Sequence, residues 1–167
     1  MREIKYIVLH CTAGPQYQTV KDIVNYWKAD VPKGCGWKTP GYHFLISPDG
    51  IAHHLVPIEK LSNGVAGHNA HSINISYIGG VEVLKGKNAK GDPINITGKP
   101  IDNRTAVQKQ TMEVLVRKFH KMFPGAKILG HRDFSEDKNR DGIISPGEWM
   151  KACPSFSVNA WLQELGL

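Results

Sequence analysis

Apolar positions along the chain fall into short strand-like runs and amphipathic stripes. Ile4 to Leu9 is a nearly unbroken apolar run bounded by charge and then by Gly14-Pro15. It is too short for a helix and rich in β-branched and aromatic residues, so it reads as a buried central strand with His10 at its C-terminal end. Thr19 followed by Asp22 has the form of a helix start, and Val20, Ile23, Val24 and Trp27 recur at helical spacing, predicting a first amphipathic helix. Residues 30–40, with two prolines and two glycines, form a loop. Tyr42 to Ile46 and Ile51 to Leu55 flank Ser47-Pro48-Asp49-Gly50, a turn signal that predicts a β-hairpin whose first strand opens at Tyr42.

Ile73 to Ile78 predicts a further strand that stops at Gly79-Gly80. Lys85 to Asn103, without clear periodicity and full of Lys, Gly, Asn and Pro, reads as a long surface loop. Asn95-Ile96-Thr97 in that stretch matches a glycosylation acceptor by chance. The clearest helical stripe is Met112, Leu115, Val116, Phe119 and Phe123, stopping at Pro124-Gly125. Lys127 to Gly130 is a short strand leading to His131. Val158, Trp161, Leu162 and Leu165 make a last helix with Gly166 as its stop. This order predicts an α/β chain: one domain over residues 1–167, with a central mixed sheet flanked by about three helices.

Composition narrows the function classes. A chain of 167 residues with 41% apolar content can fold around one core, which excludes a disordered or low-complexity chain. No apolar stretch reaches the ~18 residues that span a bilayer, and no cleavable leader is visible after Met1, so neither membrane insertion nor a signal peptide is expected. Synthesis in the cytoplasm is the corresponding expectation. The net charge of +6 favours an anionic partner, but no basic helix or aromatic platform supports nucleic acid. Three cysteines, Cys11, Cys35 and Cys153, are too few for a disulfide framework. Eight histidines are the more unusual inventory. His10 and His131 each follow a strand-like run, and Cys153 precedes the last helix. Catalytic zinc sites draw three ligands from His, Cys and carboxylates. Spacing alone does not choose between that reading and two polar residues at a sheet rim beside a buried thiol.

Four separated segments change the balance: Ile7-Val8-Leu9-His10-Cys11-Thr12-Ala13; Gly41-Tyr42-His43-Phe44-Leu45-Ile46 with Asp49-Gly50; Ser72-Ile73 running to Gly79-Gly80; and Gly130-His131 with Lys151-Ala152-Cys153-Pro154-Ser155-Phe156. In this order they resemble the zinc-dependent N-acetylmuramoyl-L-alanine amidases of the type-2 amidase and peptidoglycan-recognition-protein superfamily, particularly the T7 lysozyme branch. The resemblance implies zinc on His10, His131 and Cys153, with Tyr42 and Lys151 as catalytic side chains. One thiolate and two neutral imidazoles suit Zn²⁺, Tyr42 would orient water or assist proton transfer, and Lys151 would stabilise an oxyanion. His68 and Asn69, just before the Ser72 strand, are implied substrate contacts. Asn74 departs from the glycine frequent at that position, which could alter a close approach of backbone to substrate. His53, His54 and His120 read as surface or helix-face residues. The implied partner is peptidoglycan or its muropeptides, met by a monomer at the bacterial cell wall after release. The competing class is a binding module that holds peptidoglycan without cutting it; such relatives usually lack the cysteine ligand.

A second departure is residues 133–150, an insertion relative to the short connection of the T7-like enzymes. Asp137-Lys138-Asn139-Arg140-Asp141-Gly142 and Glu148 fit the spacing of an EF-hand-like calcium loop of ~12 residues. Asp137, Asn139, Asp141, the Ile143 carbonyl and Glu148 would supply the oxygens for Ca²⁺, although no incoming helix precedes them. The alternative is a polar loop whose acids pair with Lys138 and Arg140.

Overall fold

The computed structural model describes residues 2–167. Its centre is a five-stranded sheet in the order β3-β2-β4-β1-β7, comprising β1 (Tyr6–Cys11), β2 (Phe44–Ile46), β3 (Ala52–His54), β4 (Ser72–Tyr77) and β7 (Lys127–Gly130). β1 runs parallel to β4 and β7, β2 runs parallel to β4, and only β3 is antiparallel. The mixed sheet expected from the element order is present. Three α-helices accompany it: α1 (Val20–Lys28), α2 (Ala106–Met122) and α3 (Val158–Glu164). Thr19 and Thr105 each close a reciprocal capping box, with Asp22 and Gln108 respectively, which fixes where α1 and α2 begin.

Strand alternation sorts the two sheet faces. Ile7, Leu9, Ile73, Ile75 and Tyr77 pack with Met112, Leu115, Val116 and Phe119 of α2 and Trp161 of α3 in the main core. The intervening positions, His10 on β1 and Asn74 and Ser76 on β4, turn to the other face and are all fully buried. Ile23 and Trp27 of α1 pack with Leu45 and Ile78 in a smaller cluster on the α1 side. One face of the sheet is therefore hydrocarbon, while the other carries buried polar groups.

Three expectations need correction. β1 extends through Cys11, so His10 lies inside the strand rather than at its end. β2 starts at Phe44, two residues after Tyr42. Most significantly, the supposed loop from Lys85 to Asn103 is largely an antiparallel ribbon of β5 (Val81–Lys87) and β6 (Pro93–Pro100), separate from the main sheet. Lysines, asparagines and glycines hid the strand signal because both faces of the ribbon are largely exposed. The alternation that one-sided burial imposes on sequence is absent there.

Candidate metal centre and groove

His10 reaches the site from β1, and His131 from the 3₁₀ turn His131–Phe134 that follows β7. Cys153 arrives from the turn before α3; its carbonyl accepts the Arg132 N–H at 2.9 Å, tying the two C-terminal contributors together. The Nδ1 atoms of His10 and His131 face each other at 3.1 Å, and Cys153 Sγ lies 3.7 Å from His10 Nδ1. Among the described residues, these three form a group whose potential ligand atoms all lie within 4.8 Å of one another, and all three are buried. The sequence-predicted zinc ligands are thus brought together, and the group can hold a metal ion.

The electrostatics favour neutral donors. Burial, reinforced by the positive charge of a protonated His131, lowers His10 to a pKa of about 3. Burial and the Lys151 ammonium lower His131 to about 4. Both imidazoles are therefore neutral at neutral pH and keep a free lone pair. Burial raises the Cys153 thiol well above its ordinary value, followed by its interaction with Cys11. A cation in the group reverses that preference by stabilising the thiolate. Two imidazoles and one sulfur match the donor set used by Zn²⁺.

Tyr42 packs beside the group, its ring centroid 4.9 Å from that of His10 and 5.3 Å from that of Trp27. Its hydroxyl donates to the Cys11 carbonyl at 3.3 Å, and burial, then the neighbouring Cys153 and Cys11, raise its pKa well above 10. The phenol therefore retains its proton. Lys151 is exposed, and its charge acts on both histidines.

A cleft of about 490 Å³ meets the centre at His131 and is lined also by Trp37, His68, Asn69, Phe134 and Lys151. His68 is braced by aromatic contacts to Tyr6 and Phe134, with centroids 5.7 and 4.6 Å away. Asn69 Oδ1 accepts the Val65 N–H at 2.8 Å, so that oxygen shapes the groove wall. Tyr42 borders a neighbouring hollow of about 280 Å³ with Thr12, Gln18 and Trp27. Sequence reasoning missed Trp37, which no spacing links to the donors, and Phe134, which shares the 3₁₀ turn of His131 three residues on. It also misread Asn74, whose side chain is buried against His10 instead of lying at a substrate-facing backbone. A polar residue in the middle of a strand buried on both faces was the available signal.

The calcium-loop residues behave differently. Asp137, Asp141 and Glu148 do not form a comparable group of ligand atoms. Asp137 accepts the Arg140 and Gly142 N–H groups, Asp141 accepts that of Ile143, and Glu148 accepts those of Lys138, Asn139 and Ser145. The expected partners Lys138 and Arg140 contribute backbone N–H groups to the acids. Asn139 Oδ1 accepts the Asp141 N–H at 3.1 Å, and Ile143 is exposed.

A parallel-centred α/β sheet carrying a buried His/His/Cys metal group beneath an open cleft defines a metallohydrolase-like architecture. The family model for N-acetylmuramoyl-L-alanine amidases matches residues 1–155, and the chain belongs to that family. A Haemophilus influenzae protein is 39% identical over 105 residues, covering 63% of this chain and 79% of its own. The endolysin of Klebsiella phage KP32 is 27% identical over 165 residues, covering 98% of this chain and 88% of its own. Among solved structures, the Ph2119 endolysin of a Thermus scotoductus bacteriophage has a similar fold, with a TM-score of 0.65, 23% identity, and coverage of 97% of this chain and 84% of that one. The family activity is hydrolysis of the amide joining N-acetylmuramic acid to the L-alanine of the stem peptide in peptidoglycan.

Proposed function

We propose that this chain is a zinc-dependent peptidoglycan amidase, with His10, His131 and Cys153 as ligands and Tyr42 and Lys151 as catalytic side chains. The observation carrying the reading is the buried two-imidazole, one-sulfur group, one of whose members, His131, lines an open cleft. Zn²⁺ held there supplies Lewis acidity toward an amide carbonyl and toward water. The protein does the rest with fixed groups. Tyr42, kept protonated by burial, holds an O–H that in this reading turns from the Cys11 carbonyl to orient water or donate to the reacting amide. The Lys151 ammonium, whose charge acts on both histidines, would stabilise the oxyanion that develops on the amide oxygen. In this reading the hollow at His131 and Lys151 and the hollow at Tyr42 receive the glycan and peptide arms of the substrate, with His68 and Asn69, which line the larger of the two, as its contacts.

Several relatives are phage endolysins, which supports action on the bacterial cell wall after release; a monomer is the proposed state. No helix among the described residues is long and apolar enough to cross a membrane. The rival, a binding module that does not cut, is disfavoured by the complete set of three donors. Digestion of purified peptidoglycan, with products identified by mass spectrometry, tests the reading. Free stem peptides beginning with L-alanine are expected, disappearing with a zinc chelator and returning with zinc; binding without release would establish the rival.

For residues 137–148 the proposed ligand is Ca²⁺, held by Asp137, Asn139, Asp141, the Ile143 carbonyl and Glu148. Supporting it, Gly142 occupies a positive-φ turn at +83° and donates its N–H to Asp137, so the middle of the loop folds back on its first acid.

A further inference from the structure

Asn74 stands at the one place in β4 where the resemblance leads one to expect glycine, and the structure gives its side chain a defined task. Its Oδ1 lies 2.9 Å from His10 Nε2, and its Nδ2 donates to Ser62 Oγ at 2.9 Å. Both Asn74 and Ser62 are fully buried. The backbone is fixed as firmly: Asn74 N–H donates to His43 Nδ1 at 2.9 Å, and its carbonyl accepts the His43 N–H at 2.9 Å. His43 is anchored in turn by Nε2 donating to the Lys60 carbonyl at 3.0 Å.

We propose that Asn74 is a positioning residue that fixes the tautomer and ring angle of His10, so that Nδ1 is presented to His131 and Cys153 as a free lone pair. This rests on the zinc reading above. An amide oxygen only accepts, so the proton of neutral His10 resides on Nε2. Nδ1 is then unprotonated at the atom that faces the other two donors. Without the amide, either nitrogen could carry the proton, and the Nδ1–H form must surrender it before ligation. Partners behind a metal-ligating histidine commonly set its tautomer and basicity, and their loss typically weakens metal binding ~10–100-fold.

Gly64 supplies a second, independent mark of the same arrangement. A Cβ placed there would lie 2.2 Å from Asn74 Cγ and 2.3 Å from its Oδ1. The absent side chain at 64 is the space that the Asn74 amide fills. The two positions are therefore coupled: a methyl at 64 must push the amide away from His10.

The experiment measures zinc affinity by chelator competition and His10 imidazole ¹⁵N shifts, on the metal-free and zinc-loaded parent and on Asn74→Ala, Asn74→Asp, Gly64→Ala and Asn74→Gly/Gly64→Ala. A thermal melt of each reports folding. The parent is expected to show Nε2–H on His10 with and without zinc. Asn74→Ala and Gly64→Ala should bind zinc ~10–100-fold more weakly. Asn74→Asp, which keeps the acceptor, should stay near parental affinity, and Gly64→Ala should cost much less affinity in the Asn74→Gly background than alone. A His10 proton on Nδ1 in the metal-free parent overturns the proposal. So does parental zinc affinity in a folded Asn74→Ala protein; if that variant does not fold, loss of affinity in folded Asn74→Asp does the same. A parent that takes up no zinc but shows Nε2–H overturns the metal reading while leaving the orientation of His10 by Asn74 established.

Discussion

The β5–β6 ribbon and the segment from Asp133 to Met150 are both polar excursions from the sheet, yet they are secured in opposite ways. The ribbon holds itself together through its own ladder, from Val81 opposite Pro100 to Lys87 opposite Pro93. Its root touches the site region, since the Gly80 carbonyl accepts Ser155 Oγ at 2.8 Å, but its outer half touches only itself and solvent. The 133–150 segment has no regular element beyond its first turn and is pinned back at its end. Arg132 lies 4.0 Å over the Trp149 ring, and Met150 N–H donates to Ser135 Oγ at 2.9 Å. One excursion is autonomous; the other lies between two of the proposed metal ligands. Order in the second should matter to the metal centre, and order in the first should not.

The largest expected effect lies just beyond the far end of that segment. Cys153→Ser removes the sulfur donor while barely changing side-chain volume, and in the proposed function the metal would generate the reactivity toward the amide. Bound zinc, measured by metal analysis of the folded protein, should fall to background, and muropeptide hydrolysis should fall below detection. Full activity in a verified metal-free protein would remove the role of this end of the segment altogether.

Next come the two side chains placed at the centre without being ligands. Tyr42→Phe and Lys151→Ala should retain parental zinc while slowing turnover ~100-fold or more, the usual cost of losing a group that stabilises developing charge. Single-turnover assays alongside metal analysis separate the two quantities. Because Lys151 directly follows the pinned segment and Tyr42 lies elsewhere in the chain, equal losses would show that the segment helps deliver a chemical group as well as a ligand. Parental turnover in either variant removes that residue from the chemistry.

What was legible in the sequence follows the same division. Regions buried on one face, such as α2 with its Met112, Leu115, Val116 and Phe119 stripe, carry a period that burial imposes. The proposed ligands His10, His131 and Cys153 could be named because the segments around them resemble a family, while their separations of 121 and 22 residues revealed nothing. The β5–β6 ribbon was invisible because neither face is buried, so Val83, Leu84, Ile94 and Ile96 are all exposed and no alternation develops. Asn74 was seen as an oddity but not understood. Its meaning depends on the register that places β1 beside β4, with Val8 opposite Asn74 and His10 opposite Ser76, and only a fold supplies a register.

A moderate effect is expected inside the pinned segment. Glu148 accepts the Lys138 and Asn139 N–H groups with Oε1, and Ser145 N–H and Oγ with Oε2, so one carboxylate closes the loop. Hydrogen bonds from Ser145 are the main reason its pKa is held below the ordinary glutamate value. Glu148→Gln should lower the melting temperature through lost charge-assisted hydrogen bonds, and weaken zinc binding without touching a donor. If Ca²⁺ is the loop's ligand, calcium at ~100 times its dissociation constant adds ~2.7 kcal/mol to the parent and little to the variant. Calorimetric titration of chelator-treated protein, with zinc restored first, separates the two cases. Absence of both a calcium heat and a calcium-dependent melting shift leaves a loop closed by its own hydrogen bonds.

The smallest effect should come from cutting the ribbon short. Lys85 and Asn95 are paired across it, so replacing residues 86–94 with Asn-Gly joins the strands through a two-residue turn whose twist suits a hairpin. The root stays intact: Asn103 still receives the Gly80 N–H on Oδ1 at 2.8 Å and donates from Nδ2 to the Val81 carbonyl at 3.0 Å. The deleted part includes exposed Ile94 and Lys87 but no residue of the metal group or of either hollow beside it. Sites that share no partners combine additively, so zinc affinity and muropeptide turnover should match the parent within about twofold. Measuring turnover on both soluble muropeptide and intact peptidoglycan makes the comparison sharper. A large loss on the soluble substrate would show that the ribbon, despite its self-contained ladder, is coupled to the centre in the way assigned here only to the 133–150 segment.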